Sequence, residues 1–171
     1  MAVEKGHLTV YVLLLKQDDP RKCTAARLAK FNLARTLFRI RQIPGNSIVL
    51  NPTAPRIILP GDRNRAAGIV AVDCSWEKGQ AEFRKEFPGF QRRLPTLLAA
   101  NPTNYAKKHK LSSAEALAAA AFILGSKELA SRILSYFKWG KTFLTLNDEL
   151  LEAYSTASSV EELSEIESQF F

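Results

Sequence analysis

Hydrophobic and polar positions divide the chain into two unlike halves. Leu8–Lys16 (LTVYVLLLK) is an unbroken apolar run. It is short for a helix and rich in strand-favouring residues, so it predicts a strand buried on both faces. Gln17–Lys22, with Pro20, is a polar turn. Thr24 then predicts an N-cap for a helix through about Phe38, because Leu28, Phe31 and Ala34 recur at three- and four-residue spacing. Pro44-Gly45-Asn46 is a turn, Ser47–Leu50 a short strand stopped by Asn51-Pro52, and Arg56–Leu59 a short extended piece. Gly68–Val72 (GIVAV) predicts a second buried strand, followed at once by Asp73-Cys74-Ser75-Trp76.

The second half predicts helices. Arg92–Ala100 reads as one, and Asn101–Tyr105 as a loop opened by Asn-Pro. Ser112 with Glu115 three residues later forms a capping box, which starts an Ala-rich helix to Leu124 that Gly125 ends. Lys127–Phe137, Lys141–Thr156 and Val160–Phe171 follow, with Trp139-Gly140 as a break. Strands alternating with helices, then a helical C-terminal half, predict an α/β fold.

Composition changes the picture mainly through charge. The 171 residues carry 24 Lys and Arg against 17 Asp and Glu, a net +7. Every basic residue lies at or before Lys141, whereas residues 142–171 hold seven acids and no Lys or Arg. A basic body fits a polyanionic partner such as nucleic acid, since neutralising phosphates releases counterions; a solvated basic surface balanced by the tail explains the charge equally well. The hydrophobic fraction of 46% excludes a disordered chain. The longest apolar stretch, Leu111–Leu124, is broken by Ser112, Ser113 and Glu115, which excludes a membrane span. Lys16 and Asp18-Asp19-Pro20 stand where a secretory cleavage site belongs. Two cysteines (Cys23, Cys74) and two histidines (His7, His109) predict neither a zinc site nor a disulfide framework.

Asp73 ends a predicted strand, the place where open parallel sheets present ligand groups. A carboxylate there hydrogen-bonds a ligand or accepts a proton, or else caps the turn that follows. Trp76 either shapes an apolar pocket or packs in the core. Thr24 and Ser112-Ser113 open helices, whose free N–H groups attract carboxylate or phosphate. If both starts face one crevice, they can clamp one small anion. The common phosphate-loop, dinucleotide and nucleophile-elbow motifs are absent.

Taken together, DDPRKCTAARL, IVLNP, IVAVDCSW, RRLPTLLAANPTNY, KLSSAEALAAA and FKWGKTFLTLNDELLEAY stand in an order that resembles the small-subunit rRNA aminocarboxypropyltransferases. The resemblance covers roughly residues 8–154; the helix after Val160 carries no family motif and reads as a variable tail. It implies a SPOUT-like α/β fold with a parallel sheet and a deep C-terminal trefoil knot. Residues 1–60 would form the N-terminal part and 61–171 the knotted, cofactor-binding part with its helical tail. It also implies an enzyme that moves the 3-amino-3-carboxypropyl group of S-adenosylmethionine, a co-substrate, to N3 of N1-methylpseudouridine in small-subunit rRNA. The expected setting is cytoplasmic ribosome biogenesis, with rRNA or the pre-ribosomal small subunit as partner, no metal, no membrane, and a monomeric protein.

The resemblance implies roles residue by residue. Backbone N–H groups at Thr24 and Ser113 would hold the donor's carboxylate. Leu50, Pro52, Leu94, Leu111 and Ala116 would line the adenine pocket, with Val72 main-chain atoms at the ribose and His109 nearby. Trp76 would bury the S-methyl group, and Asp73 would accept or orient the nucleobase proton. Arg21, Lys22, Arg35, Arg39, Lys107 and Lys108 would contact rRNA phosphates. Two readings compete: methyl transfer on the same fold, and a non-catalytic RNA-binding module in ribosome assembly.

Overall fold

The structure is a computed structural model that describes residues 6–15, 24–73 and 86–171. Its first half builds a five-stranded sheet from β1 (Thr9–Leu14), β2 (Arg35–Leu37), β3 (Ser47–Leu50), β4 (Gly68–Asp73) and β5 (Phe90–Arg92), in the order β2-β1-β4-β3-β5. Every pairing is parallel. The apolar runs form strands because both faces are covered. Val10, Val12, Ile48, Leu50, Ile69 and Ala71 join the large core on one face. The residues between them, Leu13, Val49, Val70 and Val72, join a smaller cluster with Ile43 and Phe87 on the other. β4 reaches one residue beyond the expected strand, so Asp73 is its last paired position, opposite Leu14. β4 lies between β1 and β3, both of which precede it in the chain.

The helices are α1 (Thr24–Lys30), α2 (Ser113–Ile123), α3 (Lys127–Leu134), α4 (Gly140–Leu146), α5 (Asp148–Thr156) and α6 (Val160–Phe170). α1 stops well short of the expected Phe38. Asn32 takes a left-handed φ of 59°, the Asn32 N–H bonds to Ala29 O, and the Leu33 N–H reaches back to Leu28 O. That is a Schellman ending with Asn in the position usually held by Gly, and the chain then pairs as β2 beside β1. The expected helix over 92–100 is instead extended. Pro95 has no N–H to offer a helix, and the Arg93 N–H donates to Arg56 O while the Arg93 carbonyl accepts from the Ile58 N–H. The expected helix over 141–156 is two helices, broken at Asn147, whose side chain serves a distant loop described below. The expected helix to Phe137 ends at Leu134, and Gly140 packs so tightly on the Leu134 carbonyl that no Cβ fits between them.

α2 is buried almost all round, which its small alanines permit by letting it approach β4, α1, α3 and α5 closely. Its capping box forms as the sequence predicts: Ser112 Oγ accepts from the Glu115 N–H at 3.3 Å, and Glu115 Oε2 accepts from the Ser112 N–H at 2.7 Å. No helix of the described residues is long and apolar enough to cross a membrane.

Candidate functional site

Because all five strands run the same way, Leu14, Leu37, Leu50, Asp73 and Arg92 end on one edge of the sheet. The chain leaving β1 turns outward to β2, whereas the chain leaving β4 goes to β5 on the opposite side of the sheet. The two connections therefore diverge from adjacent strands, the arrangement that opens a crevice beyond the strand ends. Asp73, half-buried, sits at that point. Trp76, Cys74, Cys23, Arg21 and Lys22 lie outside the described residues.

The helix starts at Thr24 and Ser113 meet. Thr24 is the first residue of α1 rather than its cap, and its Oγ1 accepts the Ala114 N–H of α2 at 3.1 Å, across 90 positions of sequence. The Glu115 N–H is taken by Ser112 Oγ. Among the described residues the Ser113 N–H and hydroxyl have no partner, so this start keeps one main-chain donor in reserve. Leu50 belongs to the large core, and Leu94, Leu111 and Ala116, each half-buried, pack against it. Val72 faces the smaller cluster across the sheet, with its main chain registered against Leu13. Pro52 is exposed in the turn after β3, where Asn51 Oδ1 accepts from the Thr53 N–H and hydroxyl.

Sequence spacing hides the residues that hold this arrangement in place. Glu115, fully buried, accepts four hydrogen bonds: Ala100 N–H and Asn101 N–H on Oε1, and Asn101 Nδ2 and Ser112 N–H on Oε2. One carboxylate thus ties the loop before α2 to the α2 N-terminus. Asn147, also fully buried, mimics a strand partner: its Oδ1 accepts the Leu98 N–H at 2.8 Å and its Nδ2 donates to Leu98 O and Phe143 O. The last helix, read from sequence as a variable tail, is anchored as well. Glu167 Oε1 accepts the Thr96 N–H, Leu163 is buried, and the Tyr154 hydroxyl donates to Thr96 O. Burial first, then the Glu167 charge, push the Tyr154 phenol well above its usual pKa. His109 is exposed, and its Nε2 lies 3.2 Å from Thr96 Oγ1. No local spacing signals Asn147 or Glu167, since their partners are 49 and 71 residues away.

The four described basic candidates fall in two places. Arg35 is exposed on edge strand β2, and Arg39 follows the end of that strand. Lys107 and Lys108 are exposed on the loop before α2, with the Lys108 ammonium 4.5 Å from the centre of the Phe171 ring. Two cavities among the described residues lie elsewhere. One of about 210 Å³ is near the start of β1, lined by Leu8, Val10, Arg35 and Arg132; one of about 390 Å³ is lined by Leu98, Leu146, Leu150 and Phe171.

A family model described as "Ribosome biogenesis protein, C-terminal" matches residues 48–171. A protein of Methanosarcina mazei named 16S rRNA aminocarboxypropyltransferase is 43% identical over 169 residues, covering 95% of each chain. The chain belongs to the 16S rRNA aminocarboxypropyltransferase family. A family member of the same name from Methanothermobacter thermautotrophicus is 43% identical over 170 residues, covering 95% of this chain and 98% of its own. A solved structure described as the SAM-dependent rRNA:acp-transferase Tsr3 from Vulcanisaeta distributa is 35% identical, with a TM-score of 0.83, and covers 95% of this chain and 97% of that one. The α/β architecture with its parallel sheet is therefore the family's. A second model, a possible Fer4-like domain in RNase L inhibitor, matches residues 8–41. An iron–sulfur cluster does not fit this chain: such clusters take about four thiolates, and the matched stretch holds Cys23 alone.

Proposed function

We propose that this protein transfers the 3-amino-3-carboxypropyl group of S-adenosylmethionine to N3 of N1-methylpseudouridine in small-subunit rRNA. The names of its relatives support the reaction class. The observation that carries the reading to this chain is the Ala114–Thr24 hydrogen bond, which joins two helix starts. In support, the Ser113 main-chain N–H has no partner among the described residues and could take a carboxylate, and half-buried apolar side chains could take an adenine.

The donor supplies a sulfonium whose three attached carbons are all activated, so the outcome depends on which carbon meets the nucleophile. Thr24 and Ser113 hold the carboxylate end through main-chain N–H groups, a charge-assisted arrangement. Leu50, Pro52, Leu94, Leu111 and Ala116 exclude water around the adenine, Val72 main-chain atoms meet the ribose, and His109 borders the same pocket. Trp76 shields the methyl carbon and leaves the propyl carbon open. Asp73 orients the nucleobase and takes the N3 proton as the N–C bond forms and the C–S bond breaks, releasing the thioether. Arg21, Lys22, Arg35, Arg39, Lys107 and Lys108 neutralise rRNA phosphates.

We read the fold as SPOUT-type, with residues 61–171 threaded as a trefoil knot over the N-terminal part, 1–60. In support, the segment between β5 and α2 is cinched by two buried side chains from later in the chain, Glu115 and Asn147. The protein acts as a monomer on the pre-ribosomal small subunit in the cytoplasm. The test is incubation with S-adenosylmethionine labelled in the carboxypropyl chain and precursor rRNA, followed by nucleoside mass spectrometry. The label is expected on one modified pseudouridine; a methyl addition alone, or no label, refutes the proposal.

A further inference from the structure

The loop between Ala99 and Lys110 is built more rigidly than a connection requires. Ala99 and its partners close a short two-stranded base: the Ala99 N–H bonds to Lys107 O, the Ala106 N–H to Ala99 O at 2.7 Å, and Leu98 bridges Lys108. Inside it, the Asn104 N–H bonds to Asn101 Oδ1 and the Lys107 N–H to Asn104 O. Asn101 is buried and held by Glu115. At the tip stands Tyr105, 58% exposed, the largest value among the exposed large hydrophobic side chains of the described residues.

Two other exposed aromatics are engaged: Phe31 stacks on Tyr136, and Phe171 lies under the Lys108 ammonium. The Tyr105 ring has no hydrogen-bond, aromatic or cation partner among the described residues. It is followed by Lys107, Lys108 and Lys110, all exposed, and Lys107 has no ion-pair partner there. A bare aromatic face held on a stiff loop among cations matches the chemistry of an unpaired nucleobase on a phosphate backbone. The loop runs directly into Leu111 and the start of α2, and Glu115 clamps both. A base held on the loop is therefore registered against the site.

We propose that Tyr105 stacks an unpaired base of the RNA substrate while the neighbouring lysines hold its backbone. This rests on the reading of rRNA as substrate. The test is fluorescence anisotropy on the full-length protein with two labelled RNAs, a hairpin with an unpaired loop and a fully paired duplex. Tyr105→Ala should weaken hairpin binding by about 5- to 150-fold, and leave duplex binding within about two-fold because paired bases offer no free face. Tyr105→Phe, which keeps the ring, should bind as the parent does. The salt slope should be unchanged in Tyr105→Ala and shallower by about one unit in Lys107→Ala. Unchanged hairpin affinity in Tyr105→Ala, or equal losses on hairpin and duplex with an unaltered melting temperature, overturns the proposal. If the parent transfers label to rRNA while Tyr105→Ala binds normally, only the stacking falls; if the parent neither binds RNA nor transfers label, the substrate reading falls with it.

Discussion

Replacing Glu115 with alanine removes one buried carboxylate and strands four donors: the main-chain N–H groups of Ala100, Asn101 and Ser112, and Asn101 Nδ2. A buried donor left without an acceptor costs about 1–3 kcal/mol. The lower figure applies here, because losing the charge also relieves its desolvation. Four donors at about 1 kcal/mol each make a loss of about 4 kcal/mol, a large share of the roughly 5–15 kcal/mol that holds a domain folded. With a urea slope of about 2 kcal/mol per molar, the midpoint falls by about 2 M. Glu115→Gln keeps one oxygen for Ala100 and Asn101 but turns an amide NH₂ toward Ser112 and Asn101 Nδ2. Flipping Asn101 brings no relief, because its Oδ1 already accepts from Asn104 and its Nδ2 donates to Lys110 O. The glutamine variant should lose about half as much, about 2 kcal/mol. Hydrogen exchange should show the Ala100, Asn101 and Ser112 amides losing protection while the Leu98 amide, held by Asn147, keeps it. An alanine variant as stable as the parent, or a glutamine variant as damaged as the alanine, would sink the reasoning.

Three further expectations follow from the same geometry. Asp73→Asn should slow single-turnover transfer by about 100-fold or more with donor affinity, read by calorimetry, within a few-fold; an unchanged rate removes Asp73 from the chemistry. Gly140→Ala drives a Cβ into the Leu134 carbonyl, so chemical denaturation should show a loss of about 1–3 kcal/mol, and a neutral result means the α3–α4 corner relaxes freely. Tyr154 keeps its proton in the folded state after the unfolded chain, near the ordinary value of 10.0, has released it. Its contribution is therefore complete below that pH and declines above it, so the stability gap between parent and Tyr154→Phe should narrow by about 1 kcal/mol from pH 8 to pH 11; a constant gap contradicts it.

The anchoring of the acidic end of the chain has a consequence for the basic loop. Glu167 holds Thr96, Tyr154 holds the same residue from below, and Phe171 receives Lys108. The seven acids of residues 142–171 therefore belong to helices that brace the loop before α2, rather than to a free counterweight for the basic body.

Local chemistry was legible in the sequence alone. The apolar runs at 8–16, 47–50 and 68–72 announce buried strands, because a strand covered on both faces has no polar positions to alternate. Ser112 with Glu115, and Gly125 after Leu124, mark the ends of α2, because capping is settled within four residues. The family motifs, carried along most of the chain, announced a parallel-sheet α/β fold and the kind of enzyme. Spacing failed where contacts over long distances overrule propensity: α1 ends at Lys30, 92–100 is extended, and Asn147 splits a helix to satisfy Leu98, 49 residues away. Only the tertiary structure could bring Thr24 against Ala114 and give Glu115 its four donors. A hydrogen bond between residues 90 apart depends on how the sheet orders its strands, and no local window of sequence contains that order.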